Sequence, residues 1–404
     1  MPLLELPREH ISVLSYERFL REYALPRQPL IIEGVGAEWP ASSAWCDLSY
    51  FLSHAGVDLE HEVAVHEGGA GADELECSVG EALRRLQQRE ESNGGGGGGQ
   101  PPLYLSAWEY VRGGSEALQA DFSVPPLFDR SPTWLAENAV LGCAAVDMKW
   151  LYLGQAGTGS ATHVDTNMTS AWLWVARGEK EWVCAHGGDY AALLATAEQG
   201  EGDDEYKARF PDLFAALDPG GKPHPALATV RLFHGFQRAG EVCFNPSRSV
   251  HAVRNTCLTI SLTHNYVDAS NLPDVLGDAV RSLTEELLPM AAALGPKKVL
   301  KLLARSLHIK QAALRGVLRA LPTLFAPTAL EQVLQAACAP EGANTEAAAA
   351  VEALLRPPLE LMGQPNGVLP QLVDAATRLV VALELGSNRV AGTAKGASEE
   401  GRIK

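Results

Sequence analysis

Hydrophobic spacing along this chain changes register more than once. Ser15 to Tyr23 carries helical spacing and leads into Pro29-Leu-Ile-Ile-Glu33, a short apolar run that predicts a strand. A second amphipathic helix is predicted from Val79 to Glu90 with Ser78 as its N-cap. After six consecutive glycines, Gly94 to Gly99, β character resumes at Pro102-Leu-Tyr104-Leu. From Asp147 to about Val267 short β-rich runs alternate with Gly, Pro, Asn and Asp turns, the pattern of an antiparallel barrel or sandwich. The acidic stretch Asp189 to Leu217 reads as a helical insertion within it.

Beyond Leu272 the texture becomes Leu, Ala and Val at three- and four-residue spacing. Helices are predicted over Val275 to Leu294, Lys297 to Leu307, Ile309 to Leu321 and Leu372 to Leu385. Pro296, Pro322, Pro327, Pro357-Pro358 and Pro370 punctuate a small antiparallel bundle suited to fold support or to homodimer formation. The expected organisation is a lead-in over 1–92, a Gly-rich flexible loop at 93–100, a β core over 101–271, a helical region over 272–393 and a disordered tail at 394–404.

Composition narrows the function. Hydrophobic residues make up 46% and charged residues 20%, the balance of a globular chain with a large core. The 33 basic against 49 acidic residues give a formal charge of −16, which repels nucleic acid and anionic membranes and favours a basic protein or peptide as partner. Seven cysteines without a CxxC pair indicate neither a disulfide framework nor a zinc module. The opening MPLLELPREHISVL is a poor signal sequence, and no run reaches the roughly 18 apolar residues of a membrane span. An intracellular protein, in nucleus or cytoplasm, is expected.

The candidate chemistry lies in Thr162-His163-Val164-Asp165 and, 86 residues after Asp165, in Ser249-Val250-His251. Residues i and i+2 of a strand project to one side, so His163 and Asp165 can address one ion, and His251 from a distant strand completes a facial set. Two imidazoles and one carboxylate leave three adjacent positions open, the arrangement of non-haem Fe(II) oxygenases. A 2-oxoglutarate chelate would fill two of them and O2 the third. His-x-Asp alone is a weak signal, but here Gly154-Gln-Ala-Gly157-Thr-Gly159-Ser160 precedes it. Ser170 to Trp182, predicted as a β hairpin turning at Gly178, follows it.

These blocks, with Gly240-Glu-Val-Cys-Phe-Asn-Pro246 before His251 and TISLTHNYV from Thr259 to Val267, resemble the Jumonji-C family. The resemblance spans roughly Ile11 to Leu272 and is nearest to the small arginine demethylase/lysyl hydroxylase type and the translation-factor lysyl hydroxylase type. It implies a mainly β catalytic core, a double-stranded β-helix or cupin-like jelly roll, with N-terminal helices and a C-terminal all-α region. It also implies Fe(II), 2-oxoglutarate and O2, with ascorbate as a supporting reductant. The lysine after the metal strand pairs with the distal carboxylate of 2-oxoglutarate in such enzymes, and Lys180 takes that place. Tyr104, Ser160, Thr263 and Asn265 are the hydrogen-bonding candidates beside it.

Two positions depart from the family pattern. Where many members carry an asparagine ten residues after the first metal histidine, this chain has Leu173, and the turn before His251 is Ser247-Arg248-Ser249-Val250 instead of aromatic. Arg248 is a candidate for substrate recognition or a plain loop arginine. His186 with Asp189 mimics a metal pair in a Gly-rich turn, His264 should face away from Thr263, and Trp172, Trp174 and Trp182 read as barrel packing. The implied activity is hydroxylation of a protein side chain, either at lysine or arginine or on an N-methyl group that then leaves. The rival readings are a silent barrel acting as a scaffold and a cupin acting on a small metabolite.

Overall fold

In this computed structural model the described residues are 3–68, 74–93, 100–129, 148–199, 208–218, 222–306, 311–324, 331–332, 334–335 and 345–399. The glycine run Gly94 to Gly99 and the acidic Glu201 to Glu205 lie outside them. The chain divides into two compact units, one ending its second stretch at Val267 and the other holding the chain from Asp268 onward.

The first unit opens with β1 (Leu4–Glu5), β2 (Arg8–His10), β3 (Leu30–Glu33), β4 (Glu62–Glu67), β5 (Glu74–Ser78) and β6 (Leu103–Trp108). Next come β7 (Lys149–Gly154), β8 (Gly159–His163), β9 (Ser170–Arg177) and β10 (Glu179–Ala185). A two-residue pair, β11 (Glu198–Gln199) with β12 (Ala208–Arg209), precedes β13 (Leu232–Arg238), β14 (Val242–Asn245), β15 (His251–Asn255) and β16 (Thr259–Tyr266). A five-stranded sheet has the order β1-β13-β10-β15-β8, and a nine-stranded sheet the order β2-β3-β14-β9-β16-β7-β6-β4-β5.

Successive strands from β7 to β10, and again from β13 to β16, therefore alternate between the two sheets. That winding is the double-stranded β-helix the family resemblance implied. It also corrects the expected hairpin at Gly178. β9 lies between β14 and β16 while β10 lies between β13 and β15, so every edge is taken and the chain crosses from sheet to sheet at Gly178. Part of the reason is in the sequence: β9 is largely apolar without alternation, and nearly all of β9 and the second half of β10, Trp182 to Ala185, are buried, as strands covered on both faces are. Gly178 has φ +88°, and a Cβ there would collide with the Leu258 carbonyl.

Ile31, Leu173, Val175, Trp182, Cys184 and Val253 pack between the sheets. On the outer side of the smaller sheet, Val183, Ala185 and Ala252 meet Leu193, Phe210 and Leu213 from the insertion and Leu227 beyond it. Each fully buried aliphatic side chain contributes roughly 1.5–3 kcal/mol. The insertion is less helical than expected. Only Tyr190–Leu194 forms an α-helix, and the rest of its described part is the Phe214–Leu217 3-10 turn, the β11–β12 pair and loop tied down by those apolar contacts.

The lead-in helix starts where Ser15 Oγ accepts the Arg18 N–H (3.2 Å) and continues through a π turn to Ala24. The next long helix, Val79–Asn93, is capped by Ser78 Oγ on the Glu81 N–H (3.2 Å). In the second unit, helices cover Leu272–Arg281, Leu288–Leu294, Pro296–Ser306, Gln311–Leu324, Thr345–Gly363 and Val368–Glu399. The last packs against the 272–281, 296–306 and 311–324 helices and buries Leu372, Ala375, Leu379 and Leu383.

One helical expectation is corrected. Pro357 and Pro358 lie inside the Thr345–Gly363 helix instead of breaking it, where buried Leu355 and Leu359 on either side pin the turn they weaken. The final helix is Val368–Glu399, and residues 400–404 of the expected tail lie outside the described residues. Among the described residues no helix is long and apolar enough to cross a membrane.

Candidate active site

His163 closes β8 and Asp165 follows in extended backbone (φ −60°, ψ 145°) before the Thr166–Met168 turn. His251 opens β15 and is the cross-strand partner of His163, their ring centroids 4.3 Å apart. The register slips between His251 and Val253, so β8 carries one extra residue that re-aims His163 toward its partner. Candidate ligand atoms of His163, Asp165 and His251 all lie within 4.8 Å of one another, and no other such cluster occurs among the described residues.

Each imidazole is oriented from behind. His163 Nδ1 lies 2.7 Å from the Ala161 carbonyl and His251 Nδ1 3.0 Å from the Ser249 carbonyl. A carbonyl only accepts, so each Nδ1 carries the hydrogen and Nε2 keeps its lone pair for an ion. Burial, reinforced by the neighbouring His163, depresses the His251 pKa below the ordinary histidine range and keeps it a neutral ligand. Asn245, at the end of β14, donates through Nδ2 to Asp165 Oδ2 (2.6 Å).

A cavity of about 50 Å³ opens from these ligands into the barrel. At its wall the Lys180 ammonium is 2% exposed and donates to Asn255 Oδ1 (2.9 Å), a neutral acceptor. Among the described residues no carboxylate pairs with it, and desolvation lowers its pKa from the usual lysine range to about 7. Thr263 Oγ1, also on the wall, is buried with no hydrogen-bond partner. The Tyr104 hydroxyl is hydrogen-bonded to Ser160, and its ring stacks on Tyr152 at 6.1 Å. Burial pushes both phenols far above their ordinary pKa, so both remain protonated donors.

Seven of the eight predicted site residues thus meet around one cavity, and Asn265 does not. It lies beyond Thr263 toward the end of β16, where its amide donates to Thr169 Oγ1 (2.9 Å) and steadies the turn after Asp165. Trp182, read as packing, also lines the cavity, with Nε1 bonded to Gln237 Oε1 (3.0 Å). Trp172 and Trp174 are buried packing residues. Leu173 gives the cavity an apolar patch.

Tyr152, Asn245 and Asn255 escaped the sequence reading. The signal available was a lone polar residue closing an apolar strand, as in Val242-Cys-Phe-Asn245; Asn255 follows Arg254 and carried no such signal.

The weaker candidates resolve into structure. His264 faces away from Thr263, packs on Trp172 (4.5 Å) and meets the Tyr110 hydroxyl (3.2 Å); burial drops its pKa to about 3. His186 Nδ1 accepts the Gly188 N–H (3.0 Å), while Asp189 takes the Arg231 guanidinium (2.7 and 2.9 Å), so the two are not a metal pair. Arg248, in the left-handed region at φ +66°, lies over the Tyr190 ring (5.6 Å).

Compared with known families, residues 16–271 match the model of the cupin-like domain. The chain belongs to that family. Within this cupin-like family its relatives are of the Jumonji-C kind that the sequence resembles. It is 26% identical over 297 residues to "Arginine-specific demethylase JMJ22" of Arabidopsis thaliana, covering 68% of this chain and 49% of that protein. It is 27% identical over 263 residues to "Bifunctional arginine demethylase and lysyl-hydroxylase psr-1" of Caenorhabditis elegans, covering 64% and 60%. With "2-oxoglutarate and iron-dependent oxygenase JMJD4" of Homo sapiens it shares 27% over 276 residues, covering 65% and 62%. The chain spans about half to three fifths of the length of these curated relatives.

Proposed function

We propose that this cupin-like chain is an Fe(II)- and 2-oxoglutarate-dependent dioxygenase that hydroxylates a protein side chain. The observation that carries the reading is a buried ammonium with only a neutral partner, in the same cavity as two imidazoles and a carboxylate. An uncompensated buried cation calls for an anion. Lys180 and the unpartnered Thr263 hydroxyl fit one end of a dicarboxylate whose other end reaches the metal ligands. These residues fit the co-substrate, and His163, Asp165 and His251 fit Fe(II).

When bound, iron and 2-oxoglutarate supply the oxidising chemistry: O2 adds one oxygen to a C–H bond and the other to the co-substrate, which leaves as succinate and CO2. The protein supplies position and exclusion of water. Lys180 and Thr263 anchor the distal carboxylate, and the protonated Tyr104 and Tyr152 offer donors along the wall. Leu173, Val253 and Trp182 keep the rest apolar.

The relatives' names include arginine demethylation and lysyl hydroxylation. With a formal charge of −16, a basic peptide is the partner we propose here. Incubation with Fe(II), ascorbate, 2-oxoglutarate and a cellular protein extract should form succinate, and Asp165→Ala should abolish it. Mass spectrometry of the extract separates a gained oxygen from a lost methyl group. Metal-independent binding without turnover would favour the scaffold reading, and failure to bind 2-oxoglutarate the small-metabolite cupin.

A further inference from the structure

We infer that Asn245 is a positioning residue that holds Asp165 as a single-oxygen metal ligand; this rests on the metal reading of His163, Asp165 and His251 above. Asn245 is 3% exposed and stands on the cavity wall. Its Nδ2 donates to Asp165 Oδ2 at 2.6 Å and lies 3.0 Å from His251 Nδ1, so one side-chain amide borders two of the three ligands.

The orientation of that amide is dictated by charge. A carboxylate offers only lone pairs, so Asn245 must present its nitrogen; turned over, its Oδ1 would face Asp165 Oδ2. The consequence is that Asn245 Oδ1 is buried with no hydrogen-bond partner. A side chain kept only for packing gains nothing from an orphaned acceptor, which destabilises the fold. What the arrangement secures is the carboxylate. With Oδ2 engaged by the amide, Asp165 has its Oδ1 left for the ion and occupies one position. Three positions then stay open on a six-coordinate ion, and a two-oxygen Asp165 would remove one of them. The contact with His251 Nδ1 joins two donors and is no hydrogen bond, so the His251 ring is oriented by the Ser249 carbonyl and the role of Asn245 rests on Asp165.

The test is a titration of the full-length protein with Co(II), a spectroscopic stand-in for Fe(II), read by its ligand-field absorption. Wild type is compared with Asn245→Leu, which keeps the branched shape and deletes the orphaned acceptor, and with Asp165→Ala. Asn245→Leu should melt, metal-free, at or above the wild-type temperature. It should bind Co(II) 10- to 100-fold more weakly, with an altered absorption band as the coordination number changes.

Wild-type affinity and an unchanged band in a folded Asn245→Leu, alongside loss of binding in Asp165→Ala, would overturn the role of Asn245 and leave the metal reading standing. Should Asn245→Leu not fold, Asn245→Ser, too short to reach Oδ2, should show the same weakening, and wild-type binding there overturns the role equally. Wild-type protein that takes up no Co(II), or an Asp165→Ala variant that binds like wild type, would sink the metal reading and this inference with it.

Discussion

Lys180→Met separates the two things the buried lysine does. In the metal-free, ligand-free protein the ammonium is 2% exposed, its acceptor is the neutral Asn255 Oδ1, and its pKa falls to about 7. The unfolded chain holds that proton up to about pH 10.4. The folded value is depressed, so between about pH 7 and 10.4 the unfolded state binds more protons and stability rises with pH. The slope is about 1.4 kcal/mol per unit, on the order of 5 kcal/mol in all, and it disappears below about pH 7 where both states are protonated.

Lys180→Met deletes this penalty and leaves Asn255 Oδ1 without its donor, at about 1–3 kcal/mol. The variant should therefore be a few kcal/mol more stable than wild type at pH 6.5, with the advantage fading by pH 9.5. Urea unfolding of the metal-free protein at the two pH values measures it. The co-substrate responds in the opposite direction. Losing one partner of a buried charge pair costs about 2–5 kcal/mol, or about thirty-fold or more in affinity. Calorimetry with Mn(II) in place of Fe(II) should show that loss, with metal affinity nearly unchanged. A variant less stable at pH 6.5 that binds 2-oxoglutarate within threefold of wild type would refute the reasoning.

Three further outcomes follow from the same cavity. For wild type, affinity for the 2-oxoglutarate dianion should be level below about pH 7 and weaken toward tenfold per unit above it, as Lys180 loses the proton that the anion needs; a flat calorimetric profile from pH 6.5 to 8.5 would contradict this. Thr263→Val, nearly isosteric, removes a buried hydroxyl with no partner and should raise the melting temperature of the apoprotein while weakening 2-oxoglutarate about 3- to 10-fold, the two read by thermal unfolding and calorimetry. Gly159→Ala would drive a methyl group into the Val253 carbonyl between β8 and β15, so metal affinity should fall by tenfold or more as His163 is pushed from His251, measured by metal titration.

The parts of this molecule legible in the sequence were those with a local signature. His163 and Asp165 share a strand face at i and i+2, His251 is framed by strand and turn signals, and Lys180 was placed only by the family resemblance. The helix over Ser15 to Tyr23 was readable from its spacing, and the one from Val79 from its Ser78 cap as well. What escaped depends on which strand lies beside which. The run from Ser170 to Trp182 with a central glycine looks like a hairpin until β14, β16, β13 and β15 occupy all its edges.

Asn245 and Tyr152 are polar residues in largely apolar strands, and only the cavity they share, with Asn255 behind Lys180, makes them a set. β5, Glu74–Ser78, was missed because it is an edge strand rich in glutamate and poor in the usual strand formers, and β4, Glu62–Glu67, is a short strand with charged ends beside it. Pro357-Pro358 argued for a break where the buried leucines on both sides hold a helix.

The most direct measurement is the visible spectrum of the anaerobic protein after one equivalent of Fe(II) and then 2-oxoglutarate. A 2-oxo acid chelating Fe(II) gives a metal-to-ligand charge-transfer band that neither component shows alone. The band should appear at one iron per chain, be lost in His251→Ala, and require far more 2-oxoglutarate in Lys180→Met. No band in wild-type protein saturated with both, or an undiminished band in His251→Ala, would contradict the site.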